Sequence, residues 1–400
     1  MTDTANDPPL SGIRVLDLTS VVVGPTCTLL LAQQGAEVIK LEPPEGDLLR
    51  RLGGRARNPG MAPKFLHFNR GKRSISIDLK QPAGLAVARR LAGTVDVFVS
   101  NIRTEALRRL GLGWEDLAPD NPRLVHCAIA GFGSGGRYRD LPAYDTIIQG
   151  ASGMADAMAR RYGAPGYMPF VAADHMTGFL AAQAICAALV ARARTGRGQA
   201  VEVPMFENMA SFVLTEHMGQ RTYGPGGEMG DPRILDPLGR PVRTLDGWIC
   251  VSPNTDAQAF GFFDAIERPE LKKDPRFSSV SARTANVQAY FSVRSEGLAT
   301  RTTAEWLVLL RERQVPAMQV NTMDELFDDP HLQDVGLMVK QHHHSEGEIM
   351  ALNPATRFSG GAPELRDAPR QGADGPAILR ELGYGEDEIA SLLAGPVVAP

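Results

Sequence analysis

The first 130 residues alternate between two hydrophobic periods, and this restricts the chain to a small set of folds. Ile13 to Leu18 reads as a buried strand. Gly24-Pro25 opens a helix, Pro being tolerated at a first helical position, and Gly35 ends it after about Gln34. Ala36 to Glu42 and Ser74 to Leu79 are further strands, followed by a helix from Pro82 to Ala92. Val95 to Ser100, a helix from about Thr104 to Leu110, and Leu124 to Ala130 complete the series. Strands alternating with helices predict βαβ units and a mostly parallel, Rossmann-like sheet. Ligands of such sheets sit beyond the strand C-termini, here Thr19–Val23, Glu42–Pro44, Asp78–Lys80, Asn101–Arg103 and Gly131–Gly135. The turn after the first strand lacks the G-x-G-x-x-G pattern, so Glu42 in the ribose-acid position does not make a dinucleotide site.

The chain has 400 residues, 43% of them hydrophobic, enough for a large core. This length suits about two or three domains. A net charge of −4 gives no basic field for nucleic acid. Cys27, Cys127, Cys186 and Cys250 form no C-x-x-C pair and lie among mostly apolar neighbours, as reduced core cysteines of a cytoplasmic protein do. The acidic, polar start is unlike a signal peptide. The longest apolar run, Phe179 to Val190, is shorter than the ~20 residues of a membrane span. No nucleic-acid or membrane partner is expected.

Beyond residue 140, helical patterns dominate from Tyr144 to about Gly219. On the helix after Asp174, the residues Met176, Phe179, Leu180, Cys186, Ala187 and Val190 recur at helical spacing and are expected to face the core, with Gln183 the one polar interruption. Gln199 to Val203 reads as a strand. Gly224 to Arg240, rich in Gly, Pro and charge, reads as a linker. A second unit follows with strands at Trp248–Ser252 and Ala317–Val320. Ser345 to Asp374 reads as irregular, and helices at Pro376–Leu382 and Glu386–Leu393 close the chain.

Asp174 has two readings. Asp is a preferred N-cap. An acid in the first turn of a buried helix also feels the helix dipole, which favours its ionised form, and an ionised carboxylate held out of water can act as a nucleophile. His342-His343-His344 lacks acids or thiols at ligand spacing, so no metal site is expected. Arg73, Lys80, Arg103, Arg108 and Arg109 gather around one edge of the expected sheet, matching a ligand with several phosphates.

The residues Leu10–Asp17, Gly35–Pro44, Asn69-Arg70-Gly71-Lys72-Arg73-Ser74, Asp78-Leu79-Lys80, Tyr144-Asp145 and Thr195–Gln199 occur in an order that resembles the class III CoA-transferases, the group of formyl-CoA transferase, carnitine CoA-transferase and α-methylacyl-CoA racemase. The resemblance implies an α/β fold with a Rossmann-like large domain and a smaller α+β domain, in a homodimer of interlocked rings. The corresponding boundaries are 1–222 for the large domain, 223–240 for a linker, 241–328 for the small domain and 329–400 for a segment returning to the large one. Asp174 falls on the family's catalytic aspartate. Family CoA contacts map onto Val22, Val23, Ile77, Asp78, Leu79, Lys80, Asn101, Ile102, Arg103, Arg109, Ala143, Tyr144 and Asp145. CoA and acyl-CoA would be substrates, with no tightly bound cofactor. Tyr144 stands where the family's racemases carry a His base, which favours transfer over α-proton exchange. Arg50 and the Arg55/Arg57 loop are candidates to face a second substrate carboxylate. Backbone N–H groups near Asp174, or from Pro237–Arg240, are candidate oxyanion donors.

Overall fold

The computed structural model describes residues 7–361, 363–394 and 397–399. The chain divides into two compact units. One contains the chain up to Ser152, Met168–Ser211 and the segment from Gly336 onward; the other contains Gly153–Tyr167 and Phe212–Val335.

The first unit is built on β1 (Arg14–Leu18), β2 (Glu37–Glu42), β3 (Lys72–Ile77), β4 (Val97–Ser100), β5 (Val125–Ala130) and β6 (Gln199–Pro204), with β12 (Val398–Ala399) at one edge. The order is β12-β3-β2-β1-β4-β5-β6. The six strands β1 to β6 run parallel, and β12 pairs antiparallel with β3. The chain moves from β1 outward to β2 and β3, then returns past β1 to β4. The β1 and β4 C-termini therefore form the switch point where the connections diverge. Both sheet faces are covered, as a parallel sheet requires. Leu16, Ile39, Ile75 and Phe98 pack with Val87, Leu91, Ile378 and Leu379 of flanking helices. Alternation turns Asp17 to the opposite face, where it meets Thr28 and Lys72.

The long helix Ala172–Thr195 corrects the sequence reading. The stripe expected to be core is its outer face: Phe179, Leu180 and Val190 are exposed and Met176 and Cys186 half-buried, while Gln183 is exposed too. The buried face is mostly small residues, Ala173, Thr177, Gly178, Ala181, Ala182 and Ala188, with Ile185, Leu189 and Arg192 towards its C-terminal half. Close approach is the reason. A Cβ on Gly178 would lie 2.7 Å from the Val23 carbonyl and 2.8 Å from Thr26 Cβ, so only a smooth face lets this helix lie on the helix Val23–Gln33. It is also, by length and composition, apolar enough to cross a membrane; the shorter run read from sequence missed the small residues preceding it.

The segment 345–374 is less irregular than expected. β10 (Met338–His343) and β11 (Gly347–Leu352) form an antiparallel hairpin, whose turn is held by the Ser345 and Glu346 N–H groups donating to His343 Nδ1. In the second unit, β7 (Val242–Arg243), β8 (Trp248–Val251) and β9 (Ala317–Gln319) make a three-stranded sheet over a core containing Phe262, Phe263, Phe277 and Trp306. Residues 224–240 are tied into this unit, since Arg161 donates to the Ile234 and Gly239 carbonyls.

Candidate active site

Two loops meet at the switch point. Asn101, just past β4, accepts from Ser20 N–H (3.1 Å) and donates to the Ser20 carbonyl (2.9 Å). Val21 N–H donates to Asp47 (3.1 Å), and Asp47 is paired with the fully buried Lys40 at 2.8 Å. These bonds hold Val21 at φ +67°, a conformation that β-branched residues rarely adopt and that concentrates at functional sites. Beneath lies a buried polar network. Lys72 donates to Asp17, Thr28 and Asn69. Burial alone would raise the Asp17 carboxyl, but Lys72 and Lys40 hold it low.

The helix carrying Asp174 is the crossover between β5 and β6, so its N-terminus lies at the strand C-terminal edge. Val171, at its N-cap, packs against the buried cluster containing Val22, Leu49 and Phe65, on which Val21 and Phe68 also pack. This cluster brings the start of the Asp174 helix to the β1 loop. Phe68 also packs on the His175 ring, centroids 5.5 Å apart.

Asp174 is only 8% exposed, and its carboxylate accepts no hydrogen bond among the described residues. The cap reading is corrected: Val171 is the N-cap, and no side chain caps the helix. The Asp174 N–H donates to Asp145 Oδ1 (3.1 Å). Asp145 Oδ2 accepts from Gln149 (2.6 Å), whose amide also donates to the Phe170 carbonyl and accepts from Met168 N–H. Burial, with Asp145 close by, pushes the Asp174 carboxyl up from 3.8 to about 7. The dipole argument predicts the opposite direction. In this site desolvation and a like charge outweigh a terminus worth at most about 2 kcal/mol. His175 is pulled below its usual value, mainly by burial.

The expected CoA contacts are distributed unevenly. Val22 and Val23 are buried at the loop and helix start; Ile77 is fully buried in β3. Asp78 and Leu79 are half-buried and Lys80 exposed at the β3 end; Asn101 and Ile102 are half-buried and Arg103 exposed at the β4 end. Ala143 is half-buried and Tyr144 exposed, while Asp145 is buried with both oxygens engaged.

The basic edge is smaller than the sequence suggests. Arg73 stands near the N-terminus of its strand, away from the ligand edge, and pairs with Glu37 and Glu381. Arg108 and Arg109 pair with Glu105. Lys80 and Arg103 keep side chains without a partner among the described residues. Arg50 is likewise not a free carboxylate ligand. It is buried, grips Glu42 through two bonds of 2.6 Å and stacks on Phe65 at 3.8 Å. Arg57 donates to the Glu346 and Glu348 carbonyls, whereas Arg55 has no partner among the described residues. The Gly239 and Arg240 N–H groups bond to nearby carbonyls within their own loop, which removes them as oxyanion donors. His343, His344 and Asp367 do approach one another, but both His343 ring nitrogens are occupied, by the Ala368 carbonyl and by turn N–H groups. Gln149, Asp47 and the strained Val21 were invisible in sequence, because each gains its meaning from a partner at least 19 residues away.

The model of CoA-transferase family III matches residues 10–375. The chain belongs to this family. The succinate–glutarate CoA-transferase of Agrobacterium fabrum is 34% identical, over 85% of this chain and 87% of its own length. Human succinyl-CoA:glutarate CoA-transferase is 29% identical, with 99% and 91% covered. Formyl-CoA:oxalate CoA-transferase of Rhodopseudomonas palustris is 31% identical, with 96% of each covered. A CaiB/BaiF family protein from Brucella suis has the same fold, with a TM-score of 0.79 and 32% identity over 94% of this chain and 100% of that one. The chain is therefore an enzyme, a class III CoA-transferase, and its substrates are CoA thioesters. Racemisation is not favoured.

Proposed function

We propose that the enzyme moves CoA from an acyl-CoA donor to a carboxylic acid through covalent intermediates on Asp174. A carboxylate oxygen of Asp174 attacks the thioester carbonyl, the C–S bond breaks, and a mixed anhydride and CoA thiolate result. The thiolate attacks the aspartyl carbonyl and expels the donor acid, leaving an aspartyl–CoA thioester. The acceptor carboxylate attacks that carbonyl, CoA leaves again as thiolate, and its attack on the acceptor's carbonyl frees Asp174. Every intermediate is an activated acyl group, so the thioester's free energy is retained while water is excluded.

The observation that carries this reading is a buried carboxylate with no hydrogen bond, at a helix start beside the switch-point loop. Partial burial with no protein donor leaves this carboxylate less solvated than a surface acid, which favours its action as a nucleophile. The Ala173 N–H has no acceptor among the described residues and is the proposed oxyanion donor. Asp145 and Gln149 orient the turn. The proposed CoA contacts are those at the β1, β3 and β4 ends, with Lys80 and Arg103 on the phosphates. We assign the acceptor to C4–C5 dicarboxylic acids, the class named in the succinate–glutarate relatives. The exposed Phe179, Leu180 and Val190 face supports a homodimer that covers it, and the free cysteines suit a cytoplasmic setting.

Asp174→Ala should abolish transfer between succinyl-CoA and glutarate while the protein stays folded by circular dichroism. Hydroxylamine added during turnover should modify Asp174. Full turnover in the variant, or an unmodified Asp174, would overturn the mechanism.

A further inference from the structure

The second unit contains a cavity of about 530 Å³ whose lining includes Arg161, Arg233, Arg240, Arg283 and Arg294 and no acidic side chain. Of the five guanidinium groups on this cavity, one has a carboxylate counter-charge. Arg283 pairs with Asp256 at 2.8 Å and donates to the Phe277 carbonyl. Arg161 donates to the Ile234 and Gly239 carbonyls, but its Nε is buried without a partner. Arg233 and Arg240 are exposed, and their side chains have no acceptor among the described residues.

Arg294 decides the matter. It is 8% exposed, lies over the Phe291 ring at 4.5 Å, and its guanidinium finds no acceptor among the described residues; its Nε is wholly buried. The other buried arginines described, Arg50, Arg70, Arg192 and Arg283, each donate to a carbonyl or carboxylate. A buried donor without an acceptor is unfavourable, and packing on Phe291 accounts neither for this Nε nor for the four further guanidinium groups around it. A ligand anion would satisfy the stacked guanidinium in a bidentate manner. The volume fits a small molecule, and the Tyr290, Phe291 and Val251 walls suit a carbon skeleton rather than a bare ion.

We propose that this cavity binds a small organic oxyanion, with Arg294 as its buried anchor and Arg161, Arg233 and Arg240 drawing the charge in. The oxyanion is a carboxylate or a phosphate. This goes beyond the transferase reading: no residue of the Asp174 constellation takes part, and binding requires no turnover.

Cys250 lines the same cavity and is exposed, whereas Cys27 and Cys127 are buried. Its alkylation by iodoacetamide, followed by mass spectrometry on the full chain, therefore reports occupancy. Glutarate and phenyl phosphate are the two probes, and glutaramide, which has the carbon chain of glutarate without its charge, is the control. At saturation the preferred anion should slow Cys250 labelling several-fold, and glutaramide should not; the anion that protects at the lower concentration identifies the headgroup. Arg294→Gln should weaken protection by at least about 30-fold. The exposed Arg233→Gln should weaken it less, and it keeps the test valid where Arg294→Gln does not fold. Asp174→Asn should protect like wild type, so failure of the transfer mechanism and failure of this site are read separately. Protection by neither anion, equal protection by glutaramide, or unchanged protection in both arginine variants overturns the proposal.

Discussion

Replacing Asp174 by Asn should make the free protein more stable, by a margin that opens above about pH 4 and is largest at neutral and alkaline pH. The Asp174 carboxyl is raised from 3.8 to about 7 by burial and by Asp145. A raised carboxyl binds its proton more tightly in the folded state than in the unfolded chain. Its favourable contribution is complete below about pH 4 and is lost as pH rises through about 7. Asn, neutral at every pH and nearly the same shape, removes that dependence. The stability gap between variant and wild type should be small at pH 4, widen by about 1.4 kcal/mol per pH unit, and level off above pH 7. About three pH units set a ceiling of roughly 4 kcal/mol, which water entering the site would reduce. Urea unfolding of both proteins at half-unit steps from pH 4.5 to 8.5 measures the gap. The wild-type kcat/KM should rise with pH to a plateau reached through the same pKa, because that parameter reports the free enzyme. A gap independent of pH, or a variant less stable than wild type at pH 8, would refute the account of how this carboxylate is tuned.

Gly178→Ala should destabilise the fold by about 1–3 kcal/mol and lower kcat, because its Cβ would lie 2.7 Å from the Val23 carbonyl and the shift would reach Asp174 one turn away; thermal unfolding and steady-state rates check both. Arg50→Met should cost roughly 3–5 kcal/mol by leaving Glu42 buried without its partner, and Glu42→Gln added to it should restore part of the loss in a double-mutant cycle. Lys80→Ala and Arg103→Ala should each raise KM for acyl-CoA several-fold with little change in kcat, and should flatten the salt dependence of KM; unchanged KM in both would place the phosphates elsewhere.

The sequence by itself determined the strand–helix series from Arg14 to Ala130 and hence a parallel sheet with its ligand edge at the strand C-termini. Hydrophobic period and the breaks at Gly35 and Gly131 are local properties, readable without neighbours. The ordered motifs also marked the family and singled out Asp174. Tertiary structure decided what could not be local. The apolar stripe from Met176 to Val190 faces outward because close helix packing selects the small residues of the opposite face, and periodicity alone cannot distinguish a stripe that is buried from one that awaits a partner. Arg50 and Arg73 look like ligands for anions until their partners Glu42 and Glu381 are seen. Asp174 sits at a helix start that favours its charge, yet it is raised by burial in the folded chain and by the Asp145 carboxylate 29 residues away in sequence, so its state belongs to the fold and not to the motif.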